Sequence, residues 1–175
     1  MYEHIKFKNA INMRKANYDK FPSTKLTGML VQGWDSIISM LKKKMDARKV
    51  LAVDLYTGVY EEEVLDAFSK EFSGRVMNVR DLMKPEKEIQ TLTERFMTED
   101  VLFGYVTNLK LEDYLDADKV AAARKQISEA KDAIVIIGTG ASVVAPQDAM
   151  VVYADMARWE IQQRFRRHEV KALGI

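Results

Sequence analysis

The chain has 175 residues, 47% of them hydrophobic, which suits one domain with a sizeable core. Its 27 basic and 26 acidic residues leave a formal charge of +1, so no global attraction to nucleic acid or to an anionic membrane is expected. Cysteine is absent, which excludes disulfides, thiolate metal sites and a cysteine nucleophile. The two histidines, His4 and His168, lie near opposite ends, so a conventional zinc site is not expected. Apolar runs such as Ala133 to Ile137 fall far short of the roughly 20 residues of a membrane helix. Charged residues stand at the N-terminus where a signal peptide has an apolar core, and a cytoplasmic chain is expected.

Met1 to Thr27 mixes polar and aromatic residues around Phe21-Pro22-Ser23-Thr24 and reads as an N-terminal arm, leaving residues 28–175 as the domain. From Gly33 to Asp46, the apolar residues Trp34, Ile37, Ile38, Leu41 and Met45 recur at three and four, which predicts an amphipathic helix. That helix delivers the chain to a strand, Val50 to Asp54. Val64, Leu65, Phe68 and Phe72 form the next helical stripe, ended near Gly74, and Arg75 to Val79 is a short strand. Glu86 to Met97 and Asp118 to Ala130 predict two more helices, the second opened by an aspartate cap. Between them Phe103-Gly104-Tyr105 and Leu109 to Leu115 are aromatic and irregular, a place for a partner or ligand to meet the fold. Ala133 to Ile137 and Ala149 to Tyr153 are apolar, β-branched runs of the kind a parallel sheet buries on both faces. This alternation predicts a three-layer α/β domain, a mainly parallel sheet flanked by helices.

The connection after the first strand carries the most chemistry. A phosphate-binding loop reads G-x-x-x-x-G-K-S/T, because glycine amides wrap the phosphates, the lysine neutralises them and the hydroxyl holds magnesium. Placing Gly58 on the middle glycine of a small-molecule kinase loop, after Asp54, puts Leu55 and Tyr60 on the outer glycines, Glu61 on the lysine and Glu62 on the hydroxyl. A carboxylate about 5 Å from a phosphate charge, at an effective dielectric of about 20, repels it by about 3 kcal/mol. Leu55 and Tyr60 also obstruct the close backbone approach that glycine permits. Glu61, Glu62 and Glu63 have a second reading, as acidic residues complementing the positive end of a helix dipole. Magnesium or calcium binding by the three lacks a recognisable ligand loop.

Gly138-Thr139-Gly140-Ala141, after a buried strand, offers amides and a hydroxyl where open α/β sheets bind ligands, and reads either as a phosphate cradle or as a tight turn. Tyr56, Tyr60, Tyr153 and Trp159 read as a stacking surface for a sugar or base, or as core and interface.

Taken in order, strand and loop (Val50 to Glu62), strand ending in an aspartate (Arg75 to Asp81), strand followed by glycines (Ile134 to Gly140), strand ending in an aspartate (Val151 to Asp155) and arginine-studded helix (Arg158, Arg164, Arg166, Arg167) are similar to uridine-kinase-like P-loop kinases. More closely, the chain resembles the extra N-terminal domain that precedes the zinc-dependent barrel in a group of long type I mannose-6-phosphate isomerases. Asn17-Tyr18-Asp19-Lys20, the loop from Val53 to Glu63, Ile136 to Ala141 and Tyr153 to Ile161 carry that likeness. The kinase resemblance implies Asp81 as general base, with a turn cap as the alternative, and Arg158, Arg164 and Arg167 as a lid on nucleotide phosphates. Glu160 and Arg164, four apart, read equally as a surface ion pair. The isomerase resemblance implies a catalytically inactive accessory or regulatory domain. Its implied partners are a zinc-dependent isomerase barrel in cis or in trans, a phosphosugar, or further copies of itself, and no cofactor is expected in this chain. The alternative is a divergent small-molecule kinase using ATP and magnesium on a sugar or nucleoside hydroxyl.

Overall fold

The computed structural model describes residues 18–19, 21–25, 27–45, 49–99 and 104–174. The chain divides into two compact units, Met1–Leu30 and Val31–Ile175. The expected arm, Met1 to Thr27, falls mostly outside the described residues; within its described part, the Phe21 amide donates to Asp19 Oδ1 at 2.9 Å, and Tyr18 and Phe21 are exposed.

In the larger unit a four-stranded, all-parallel sheet forms from β1 (Val50–Leu55), β2 (Arg75–Asn78), β3 (Ile134–Gly138) and β4 (Met150–Ala154), in the order β2-β3-β1-β4. β1 and β3 take the centre because their apolar residues suit burial on both faces, and every residue of each strand is buried. Alternation along the strands then sorts the side chains into two cores. Leu51, Val53, Val135 and Ile137 face α1 (Trp34–Met45) and α2 (Glu61–Glu71), meeting Ile38, Leu41, Val64 and Phe68. Trp34 sits edge-on to Phe68 with ring centroids 6.5 Å apart. Val50, Ala52, Ile134 and Ile136 belong to the opposite core, with Val79 and Leu82 of the 3-10 turn Val79–Leu82, Ile89 of α3 (Glu86–Glu94), Val120, Ala123 and Ile127 of α4 (Ala117–Glu129), and Ala141 and Val144 of α5 (Ala141–Val144). The result is helix, sheet, helix: a three-layer α/β arrangement. A last helix, α6 (Arg158–Arg166), follows β4.

Three local expectations change. β4 is an edge strand, not one buried on both faces: Val151 and Tyr153 are 55% and 58% exposed, because among the described residues no further strand or helix covers that side. The second of the two middle helices begins at Ala117, and its cap is Asp116, whose Oδ1 accepts from the amides of Asp118 and Lys119 at 3.0 Å each. α3 stops at Glu94, after which Phe96 and Met97 continue only as turns. Phe103 lies outside the described residues, and Leu111–Tyr114 forms a 3-10 turn within the stretch expected to be irregular. Among the described residues, no helix is long and apolar enough to cross a membrane.

Candidate functional site

The carboxyl ends of β1 and β3 lie side by side, with Asp54 opposite Gly138. From there the chain leaves β1 through α2 toward β2, and leaves β3 through α5 toward β4, on the other side of β1. Such a divergence of connections is where open α/β sheets bind ligands.

The connection after β1 is short. The Tyr56 amide donates to Ala154 O at 2.9 Å, and the Val59 amide closes back on Tyr56 O at 3.1 Å. Gly58 supplies the left-handed conformation that this turn needs, with φ +94°, and a Cβ added there would come within 3.1 Å of Ile161 Cγ2 on α6. Its carbonyl accepts from Arg164 Nη1 at 2.8 Å. The loop is thus a tight turn with a helix seated on it. Gly58→Ala is expected to cost about 1–2 kcal/mol, read as a lower urea midpoint with an unchanged slope.

The amides that a phosphate would seek are already used on the other side of the crevice. Asp54, 7% exposed, accepts from the Gly140 amide through Oδ1 at 2.9 Å. Its Oδ2 accepts from the Ser142 amide at 3.0 Å and from the Ser142 hydroxyl. Gly138, at φ +137°, lets β3 end against Val79, where a Cβ would lie 2.8 Å from Val79 Cβ. The two groups singled out by sequence, Asp54 and the Gly138-Thr139-Gly140 turn, therefore occupy each other.

The three glutamates open α2, where they complement its positive end. Glu61 Oε2 pairs with Arg80 Nη2 at 3.2 Å, and Glu62 Oε1 lies 4.0 Å from Arg80 Nη1. Glu63 Oε1 accepts from Trp34 Nε1 at 3.0 Å. Glu61 Oε1 is buried with no hydrogen-bond partner among the described residues. Arg80, which sequence reasoning passed over, reaches this side, whereas its neighbour Asp81 is exposed and is not among the residues lining the cleft beside the loop.

The late arginines are distributed between two fates. Arg164, with its side chain only 15% exposed, pairs with Glu160 at 3.1 Å and lies 3.6 Å over the Tyr60 ring centroid. Arg167 pairs with Glu160 at 3.1 Å and with Glu169 at 2.6 Å, and Tyr60 donates its hydroxyl to Glu169 at 2.6 Å. Arg158 is exposed, with no partner among the described residues. The hydrogen bond from Arg167, then that from Tyr60, holds the Glu169 carboxyl at about 2, below its ordinary 4.5. Hydrogen bonds from Arg164 and then Arg167 lower Glu160 as well, and the bond to Glu169 is the main cause raising the Tyr60 phenol.

A depressed carboxylate stabilises the fold fully above its unfolded value and ceases to do so as pH falls through the folded one. The Tyr60–Arg167–Glu169 network is therefore expected to persist at neutral pH and to release between pH 4.5 and about 2. In NMR titrations the Tyr60 and Glu169 signals should move together in that window; a Glu169 carboxyl titrating at 4.5 would contradict the assignment.

A cleft of about 420 Å³ remains beside the loop, lined by Tyr56 to Glu63, Arg80, Met83, Thr139 and the tail from Glu169 to Gly174. The tail is anchored by Leu173, which packs on the core that contains Met83 and Ile89. The cleft thus combines glutamates with Arg80 and Lys171, backbone groups, and the Thr139 hydroxyl. Among the described residues, no group of three or more His, Asp and Glu is placed to hold a metal ion.

The family described as Domain of unknown function (DUF8485) matches residues 33–175, and the chain belongs to it. No curated protein and no solved structure matches the chain.

Proposed function

We propose that this DUF8485 domain is a catalytically inactive, kinase-derived domain that serves as an accessory to a mannose-6-phosphate isomerase and works by binding. The observation that carries the loss of phosphoryl transfer is the occupation of the anion positions by the chain's own charges. Asp54 takes the amides of the turn after β3, and Glu61, in the lysine position of the phosphate loop, is paired with Arg80. Arg164 and Arg167, the phosphate clamps of the kinase reading, serve Glu160, Glu169 and the Gly58 carbonyl. A triphosphate would have to break these contacts and then face three glutamates. The three-layer α/β fold with a parallel sheet is compatible with descent from a uridine-kinase-like P-loop domain, and the link to the isomerase rests on the sequence resemblance.

In this reading the domain is cytoplasmic and docks on a zinc-dependent isomerase barrel, in the same chain or in another. It needs no cofactor of its own, and the cleft by the degenerate loop is where a phosphosugar would be sensed. Calorimetric titration of the full chain into such a barrel is expected to give a saturable complex. No heat, together with ATP-dependent phosphorylation of a sugar or nucleoside by this chain, would instead establish the divergent kinase, and loss of that activity in Asp81→Asn would be needed to make Asp81 its base.

Restoring the lost charges tests whether chemistry alone was removed. Glu61→Lys with Glu62→Ser is expected to leave ATP binding undetectable by calorimetry, because the Tyr56 to Val59 turn stays closed and Arg164 still holds Gly58. Submillimolar ATP affinity in that variant would show that a phosphate-sized loop had survived.

A further inference from the structure

We infer that the segment from Glu169 to Gly174 is a strap closed over the cleft beside the loop after β1, latched by Tyr60 and lifting locally to admit a ligand. Its role as a gate rests on the reading of that cleft as the phosphosugar site. The strap begins where α6 ends in a left-handed turn. The His168 amide donates to Phe165 O at 3.1 Å and the Glu169 amide to Arg164 O at 3.0 Å, around His168 at φ +55°. Glycine commonly takes such a position; here it is His168, which among the described residues is the one other than glycine with a positive φ. The turn sends the chain along the cleft, which all six strap residues line.

The strap is held at its two ends. At the first, Glu169 accepts from the Tyr60 hydroxyl at 2.6 Å and from Arg167 at 2.6 and 2.9 Å. At the second, Leu173 packs on the core that contains Met83 and Ile89. Gly174, at φ +74°, lies so close that a Cβ there would overlap Ile89 Cδ1 and come within 3.3 Å of Met83 Sδ. Between the ends, among the described residues, no backbone hydrogen bond joins Val170, Lys171 or Ala172 to the loop after β1, to α2 or to the turn after β3. Lys171 and Ala172 are exposed. A segment tied at two points and unbonded between them opens ahead of the sheet.

The latch belongs to the altered loop. Tyr60 stands on an outer glycine of the phosphate-loop pattern, and a glycine has no hydroxyl to give to Glu169. The residue that obstructs the loop thus also closes the cleft. Arg164, 3.6 Å over the Tyr60 ring centroid, holds that ring in place. Under the far end of the strap lies Met83, which lines the cleft and is only 8% exposed. Lifting the strap uncovers its thioether.

The test is oxidation of the full chain by dilute hydrogen peroxide, with each methionine followed by peptide mass spectrometry. Met45 and Met150, also buried, belong to the opposite core and report global opening. Tyr60→Phe keeps the ring beneath Arg164 and removes only the latch, so Met83 is expected to oxidise about tenfold faster in it. Glu169→Ala should do at least as much from the other side of the latch, while Met45 and Met150 keep their wild-type rates in both variants. An unchanged Met83 rate in both, or equal acceleration at all three methionines, would overturn the inference. Mannose 6-phosphate, titrated by calorimetry, should bind both variants up to about tenfold more tightly than wild type, because the closed fraction no longer opposes entry. Equal, measurable affinities would overturn the gate. Binding to no form would count against the phosphosugar reading alone, since the oxidation contains no sugar.

Discussion

Asp54→Ala is expected to destabilise the domain by about 2–4 kcal/mol and to lower its melting temperature by about 10 °C. The reason lies in what the carboxylate holds. It is buried at the end of the central strand and accepts from the Gly140 amide, the Ser142 amide and the Ser142 hydroxyl, joining positions 86 and 88 residues apart in sequence. Alanine leaves the buried Gly140 amide without an acceptor, and a buried unpaired donor costs more than the hydrogen bond contributed. Water can reach the exposed Ser142 and recovers part of the loss. Asp54→Asn keeps one acceptor but turns an NH2 group toward a donor, so it should fall between wild type and alanine. Urea unfolding measures both; a loss below about 0.5 kcal/mol for alanine would mean that the carboxylate is not the tie between β1 and the turn after β3.

Arg164→Ala should cost about 2–3 kcal/mol, a large effect for an arginine on a nine-residue helix. Three contacts end together: the charged donor to Gly58 O at 2.8 Å, the ion pair with Glu160 at 3.1 Å, and the stack on Tyr60 at 3.6 Å. They share one side chain and are not additive, which keeps the figure near that of a single charge-assisted hydrogen bond plus a cation–π contact. Because Arg164 ties α6 to the loop, amide exchange should quicken in α6 and in the tail that lines the cleft, ahead of global unfolding. Arg166→Ala, on the same helix but exposed and without a partner among the described residues, should change stability by less than about 0.5 kcal/mol. Equal effects of the two substitutions would mean that Arg164 does not pin the helix.

Much of the layered fold can be read from local sequence, because burial leaves a local pattern. The apolar, β-branched runs of β1 and β3 and the helical stripes of Ile38, Leu41, Val64 and Phe68 are such patterns, and they lie in the core. β4 resembles them in composition, yet whether a strand lies inside or at an edge depends on what else joins the sheet. The site was legible in residues but not in pairings. Asp54, Gly58, Glu61, Gly138 and Gly140 can each be singled out by type and spacing, and Arg164 by the kinase resemblance, and each stands at or beside the crevice. Their partners are distant in sequence: Asp54 with Ser142, Gly58 with Arg164, Glu61 with Arg80, Tyr60 with Glu169. No periodicity announces such contacts. Asp81 and Arg158 show the converse, since types suited to phosphoryl transfer stand exposed, without the neighbours that would give them a role in the cleft.

The proposed reading requires that ATP not bind at the crevice, where Asp54 holds the turn after β3, Arg80 pairs with Glu61, and Arg164 holds the Gly58 carbonyl. A thermal-shift titration of the full chain with ATP and magnesium, to millimolar concentration, tests it most directly. The account predicts an unmoved melting temperature. A rise of several degrees, as expected when a ligand at about a hundred times its dissociation constant adds about 2.7 kcal/mol of stability, would contradict it.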